Sequence, residues 1–182
     1  MNNKFNLSFL IIFFLIVACS GKEEKVSVLK EKNLETQMIE VYSEAMAEFE
    51  RGDVIYAGKK FSEAELLFPQ SIWAPRALLM SAYGYFSQGY YKDAINDLER
   101  FIFKYKNHPQ TDYAYYLLAL CHYDQIIDEK KDFNEILEAK KYFEIVINDF
   151  PDTDYASDSK YKLELIIEIS ASKEMYLARY YV

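Results

Sequence analysis

Residues 57–74 read AGKKFSEAELLFPQSIWA, and both halves of this stretch recur along the chain. The second half contains a short word, Pro69-Gln70-Ser71-Ile72-Trp73-Ala74. It returns as Pro109-Gln110-Thr111-Asp112-Tyr113-Ala114 and as Pro151-Asp152-Thr153-Asp154-Tyr155-Ala156, at spacings of 40 and 42 residues. Proline ends a helix because it has no N–H to donate and its ring crowds the preceding turn. A hydroxyl two residues later is well placed to accept from the orphan N–H groups of the next helix. The word therefore marks a junction between helices.

A second register runs inside the segments. Ala45, Ala82 and Ala119 recur every 37 residues, as do the aromatic positions Phe49, Phe86 and Tyr123, and Ala57 and Ala94 keep the same interval. Ala139 falls eight residues late, which a polar insertion at 128–134 (DEKKDFN) accounts for as a longer turn. Small residues at fixed places, with a period near 40, announce a helical repeat array. Composition agrees: 17 Tyr and 13 Phe stand against 5 Gly and 4 Pro in 182 residues. So few backbone breakers favour long helices joined by short turns over a sandwich or barrel, which needs a turn every eight to twelve residues or so. The fold class is all-α.

The first half of the opening stretch, Ala57-x₃-Phe61-x₂-Ala64-x₄-Pro69, resembles the second-helix half of the tetratricopeptide repeat (TPR). Ala139-x₃-Phe143-x₂-Val146-x₄-Pro151 repeats it, and Ala94, Leu98 and Phe101 form a looser copy. Gly52-Asp53 and Gly89-Tyr90-Tyr91 occupy the turn between the two helices of a repeat. The resemblance implies a superhelix of antiparallel helix pairs, in which small residues let neighbours approach and large ones fill the gaps beside them. Helices are predicted over 36–51, 55–67, 72–87, 92–105, 112–127, 135–149 and from 154 onward. Repeats then span 36–69, 72–109 and 111–151, with an incomplete fourth at 153–182. The last of these ends in EMYLARYY (174–181), the start of a further first helix with no second helix after it. The chain is thus expected to be C-terminally truncated relative to a full array, or to have its last apolar face covered by a partner.

The N-terminus carries an address. Lys4 precedes an uncharged apolar run, LSFLIIFFLIV (7–17), and Ala18 and Cys19 follow it. Eleven apolar residues rise about 16 Å as a helix, short of the roughly 30 Å bilayer core, so the run is a secretory signal rather than a span. Ile16-Val17-Ala18-Cys19 resembles the bacterial lipobox, which implies cleavage after residue 18 and a diacylglyceryl and an N-acyl chain (palmitate-type) on Cys19. Ser20 is not the Asp that retains lipoproteins at the inner membrane, so the expected site is the periplasmic face of the outer membrane. Residues 19–33 read as a lipidated N-terminus and flexible tether to an array at 34–182. Only Cys121 then remains, and one thiol forms no intramolecular disulfide; a buried, inert cysteine is expected. With a net charge of -8 and no basic tract, nucleic acid is not a partner.

Anchor, tether and array together resemble the BamD family, the Gram-negative lipoprotein subunits of the β-barrel assembly (Bam) machinery. The local words are ERFIFKY (99–105), HPQTDYAYY (108–116) and KEMYLARYY (173–181), and the likeness extends over about 16–182. It implies protein insertion into the outer membrane: binding of unfolded outer-membrane proteins, and partnership with the barrel-forming subunit BamA and other lipoproteins of the complex. In a TPR superhelix the first helices line the concave side, so the resemblance implies that Tyr42, Met46, Phe49, Leu79, Tyr83, Phe86, Tyr116, Leu120 and Tyr123 face a peptide-binding groove. Packing between helices is the competing role for each of them. Arg76, Arg100 and Lys104 are the basic residues available for a peptide carboxylate. His108 and His122 are the only histidines, with no partner at metal-ligand spacing and no nucleophile motif or phosphate loop, so neither enzyme activity, metal nor cofactor is expected. A TPR adaptor that coordinates cell-envelope or cell-wall machinery is the alternative function.

Overall fold

A computed structural model describes residues 24–126 and 133–181. The signal segment and Cys19 lie outside these residues, as does the 128–134 insertion except for its last two positions. Seven helices and no strand are found among the described residues: α1 (Glu24–Arg51), α2 (Val54–Leu67), α3 (Ala74–Ser87), α4 (Tyr91–Lys104), α5 (Thr111–Tyr123), α6 (Phe133–Asp149) and α7 (Asp154–Tyr180). Each helix packs on its neighbours in sequence, and the first helices α3, α5 and α7 also touch along one side. The result is a row of antiparallel pairs, α1/α2, α3/α4 and α5/α6, closed by α7.

One boundary departs from expectation. Residues 24–33 are helical, continuous with α1, where a flexible tether was predicted. That stretch, EKVSVLKEKN, contains neither Gly nor Pro, and half of it is Glu and Lys, which lose little side-chain freedom in a helix. A stable helix following it supplies the nucleus, so each added residue costs only propagation.

The junction words behave differently in detail. Thr153 caps α7, its hydroxyl accepting from the Ala156 N–H at 3.2 Å. The Ser71 hydroxyl accepts from the Trp73 N–H at 3.2 Å, just ahead of α3, where Pro75 takes a first-turn position that needs no donor. Thr111 instead donates back to the His108 carbonyl at 2.7 Å and leaves α5 without a side-chain cap. The α1–α2 and α3–α4 turns rest on Gly52 (φ 93°) and Gly89 (φ 75°), in left-handed conformations that a Cβ would strain.

The repeat register is the core. Ala45, Ala82 and Ala119, Ala57, Ala94 and Ala139, and Phe61, Leu98 and Phe143 are all fully buried. Three clusters follow the three helix pairs, centred on Phe61, on Leu98 with Phe101, and on Phe143. Cys121 lies within the second, and burial pushes its thiol up to about 12, which leaves it an unreactive small hydrophobe.

One buried site is polar. Glu65 of α2 is fully buried and meets α4: Lys104 Nζ at 2.9 Å, the Tyr105 hydroxyl at 3.0 Å and Arg100 Nε at 3.5 Å. The Arg100 contact is an ion pair too poorly aligned to be a hydrogen bond. Arg100 also pairs with Asp97 at 3.1 Å and donates to Ser62 at 2.8 Å. Ser81 of α3 bonds both the Asp97 carboxyl and the Gly58 carbonyl. These groups tie the first repeat to the second.

Candidate functional site

The first helices present a row of rings along one face. Tyr42 of α1 lies 6.0 Å from Trp73, and Phe49 of α1 lies 6.3 Å from Tyr83 of α3. Tyr155 of α7 meets two rings of α5, Tyr113 at 5.5 Å and Tyr116 at 5.1 Å in a stacked arrangement. Trp73, Tyr113 and Tyr155 are the aromatic residue of each junction word. The same position that begins a first helix thus supplies its ring to the shared face. Two phenols of α5 stay protonated: burial is the main force pushing Tyr113 up to about 12, and burial together with the Asp158 carboxylate, which accepts from Tyr116 at 2.7 Å, holds Tyr116 above the ordinary range.

Two concavities open on this face. A notch of about 300 Å³ is lined by Met38, Ile39, Tyr42 and Ser43 of α1 and by Trp73. A cleft of about 380 Å³ lies between α3 and α5, lined by Arg76, Leu79, Met80, Tyr83, Gln110 and Tyr113. Arg76 is exposed and makes no hydrogen bond or ion pair among the described residues.

The nine expected groove residues divide by environment. Tyr83 is exposed, at 41% of its surface, and Tyr42 and Leu79 line the notch and the cleft. Leu79 is only 4% exposed and belongs chiefly to the second core cluster. Met46 and Phe49 pack on the first cluster, Phe86 on the second and against Tyr91 at 6.0 Å, and Leu120 between the second and third. Tyr116 and Tyr123 pack on the third, 6.3 and 6.1 Å from the Phe143 ring. A residue at helical spacing on the first helices therefore packs between repeats more often than it lines a concavity: six of the nine do. Met38, Ile39, Trp73, Met80, Gln110 and Tyr113 complete the face and were not among the nine. The recurring aromatic of the junction word was the available signal for Trp73 and Tyr113.

The basic candidates separate in the same way. Arg100 and Lys104 are engaged by Glu65, whereas Arg76 stands at the cleft. Both histidines have packing partners. His122 sits 2.6 Å from Glu135 and stacks on Tyr142 at 5.6 Å, and His108 packs edge-on to Phe101 at 5.5 Å. Among the described residues no group of three His, Cys, Asp or Glu side chains could hold a metal, and no helix is long and apolar enough to cross a membrane.

Comparison with known proteins agrees with this architecture. The first TPR of Spaghetti (RPAP3), in a structure bound to an HSP90 peptide, superposes with a TM-score of 0.57 over 75% of this chain and 95% of that one, at 16% identity, a likeness of fold. Three relatives named outer membrane protein assembly factor BamD are similar in sequence. The protein of Caulobacter vibrioides is 32% identical over 92% of this chain and 54% of its own length. That of Rickettsia prowazekii is 30% identical over 95% and 66%, and that of Neisseria gonorrhoeae is 30% identical over 78% and 57%. The chain thus spans between about half and two thirds of the length of these relatives. The model of the YfiO outer membrane lipoprotein family matches residues 34–182, from within α1 through the whole of α7, and the chain belongs to that family.

Proposed function

We propose that this chain is an outer-membrane lipoprotein subunit of the β-barrel assembly complex, and that it captures unfolded outer-membrane proteins on the ring-lined face of its first helices. The observation that carries the reading is the pair of concavities lined by rings of the first helices, Tyr42 with Trp73 at the notch and the exposed Tyr83 with Tyr113 at the cleft. Unfolded barrel strands alternate polar and apolar side chains and are rich in aromatics. A row of rings interrupted by hydrogen-bonding phenols suits such a segment, because it offers apolar contact without demanding one sequence. Membership of an outer membrane lipoprotein family and relatives named as assembly factors support the same reading. In it, acyl chains on Cys19 hold the array at the periplasmic face, since each buried CH₂ contributes about 0.8 kcal/mol. BamA and other lipoproteins of the complex are the proposed partners, and the role is one of binding, without catalysis.

A photo-crosslinking residue at position 83 tests the proposal in intact outer membranes. The expected adducts are unfolded barrel-forming polypeptides. Adducts with cell-wall enzymes alone would refute it and favour an envelope adaptor.

A further inference from the structure

We propose that the array carries a second docking surface on its outer side, at the end of α4 around Phe103 and Lys106. Its occupant is a segment of a partner polypeptide in which an apolar or aromatic side chain adjoins acidic residues. This surface is separate from the ring-lined face of the first helices and goes beyond the peptide-capture reading above.

Phe103 is 76% exposed. A single exposed ring is ordinary on a protein surface, but here two concavities share it. One, of about 300 Å³, lies between α4, α5 and α6, with Ile102, Leu118, Tyr142 and Ile145 in its lining. The other, of about 520 Å³, follows the α4–α5 turn from Phe103 to Pro109. Phe103 and Lys106 line both, so the two form one continuous surface. Neither shares a residue with the notch or the cleft of the first helices. On α5 the outer recess uses Tyr115 and Leu118, whereas the cleft uses Tyr113. At about 100° per residue these lie roughly 200° and 140° around the helix from Tyr113, which places the recess on the opposite side of α5.

Charge and shape select the occupant. Residues 100–111 contain Arg100, Lys104 and Lys106 and neither Asp nor Glu, in a chain of net charge -8. Arg100 and Lys104 are engaged by Glu65. Lys106 is exposed, makes no ion pair among the described residues, and rests with its ammonium 5.6 Å from the centre of the Phe103 ring. A ring beside an unpaired ammonium suits an apolar side chain next to a carboxylate: the first packs on Phe103 while the second meets Lys106. Glu99, one helical turn before Phe103, also lines the recess and repels acid there. The acidic residues of the occupant therefore lie toward the α4–α5 turn and its apolar residue toward the recess. The recess exceeds the roughly 150 Å³ that holds a benzene ring, and an inserted side chain fills a hollow between three helices where a planar membrane surface cannot.

The probe is p-benzoylphenylalanine at position 103 of the full chain in intact outer membranes, which keeps a ring at the site and crosslinks what rests on it. The expected adduct is a protein whose crosslinked segment, mapped by mass spectrometry, carries acidic residues beside an apolar or aromatic one. Lys106→Glu should lower the yield about tenfold and Lys106→Arg should retain it, both with unchanged far-ultraviolet circular dichroism, since position 106 is exposed. Raising the salt from about 0.1 to about 1 M, which shortens the screening length from about 10 to about 3 Å, should lower it severalfold. Adducts with phospholipid alone, adducts that map to segments without acidic residues, a yield indifferent to Lys106→Glu, or no adduct at all would each overturn the inference. The same probe at position 83 reports peptide capture separately, so adducts there with none at 103 would leave that reading standing while this one falls. Unfolded barrel polypeptides at both positions in equal yield would make the two surfaces one and overturn the inference as well.

Discussion

Replacing Glu65 by alanine should destabilise the array by about 2–4 kcal/mol. Its carboxylate is fully buried and contacts Lys104, Tyr105 and Arg100 at 2.9, 3.0 and 3.5 Å. Removing one partner of a buried pair typically costs about 3–5 kcal/mol, because an uncompensated charge is left behind. Here the loss is reduced at one end, since the Lys104 and Arg100 side chains are 34% and 29% exposed and can turn toward water. It is increased at the other by the deleted methylenes, at about 0.8 kcal/mol each. Glu65→Gln keeps the volume and an acceptor for Tyr105 and loses only the charge, so about 1–2 kcal/mol is expected. Urea unfolding followed by circular dichroism measures both. A double-mutant cycle with Lys104→Met should give a coupling of about 1–2 kcal/mol, within the range for residues in one network. Because the network joins α2 to α4, the Ala variant should also unfold less cooperatively, with the first repeat melting ahead of the others. Peptide affinity should not rise, although two cations are released, because they lie on α4 and not among the residues of the cleft. A Glu65→Ala variant within about 0.5 kcal/mol of wild type, with an unchanged denaturant slope, would refute the account.

The remaining predictions follow from single environments. Tyr83→Ala should change stability by less than about 0.5 kcal/mol yet weaken peptide binding severalfold, whereas Phe86→Ala, packed on the second core, should cost about 2–4 kcal/mol in urea unfolding. Burial holds the Asp97 carboxyl above its ordinary range, and the Ser81 hydrogen bond and the Arg100 charge offset this only in part. A raised carboxyl favours the folded state below the unfolded value of about 3.9, and that contribution is lost as pH rises through the folded value. The stability difference between Asp97→Asn and wild type should therefore shift in favour of the variant as pH rises from 4 through the weakly acidic range. A difference that stays flat, or that moves toward wild type, would contradict this. Gly89→Ala, which puts a Cβ on a left-handed turn residue, should lower stability by about 1 kcal/mol, read as a fall in the urea midpoint.

Much of the fold can be read along the chain because repeat proteins are nearly one-dimensional: each pair contacts its sequence neighbours, so the spacing of Ala45, Ala82 and Ala119 already states which positions meet. The helix boundaries follow from proline and glycine, whose effects are local. The groove is harder to read. Phe49, Phe86 and Tyr123 share one register with Tyr83 a turn away, and periodicity identifies the inward arc of a helix without distinguishing the side that meets the next repeat from the side left open.

The sequence by itself determined the helical repeat, its register, the fully buried alanines and the family, because these depend on residue type and spacing. Tertiary structure alone decided which cations are spoken for. Nothing in the spacing of Glu65 from Arg100 and Lys104, which lie on the next repeat, predicts that one buried carboxylate would engage both bases and leave Arg76 unpaired at the cleft among the described residues. The physical reason is that pairing depends on distances between helices of successive repeats, and stacking brings α2 and α4 together.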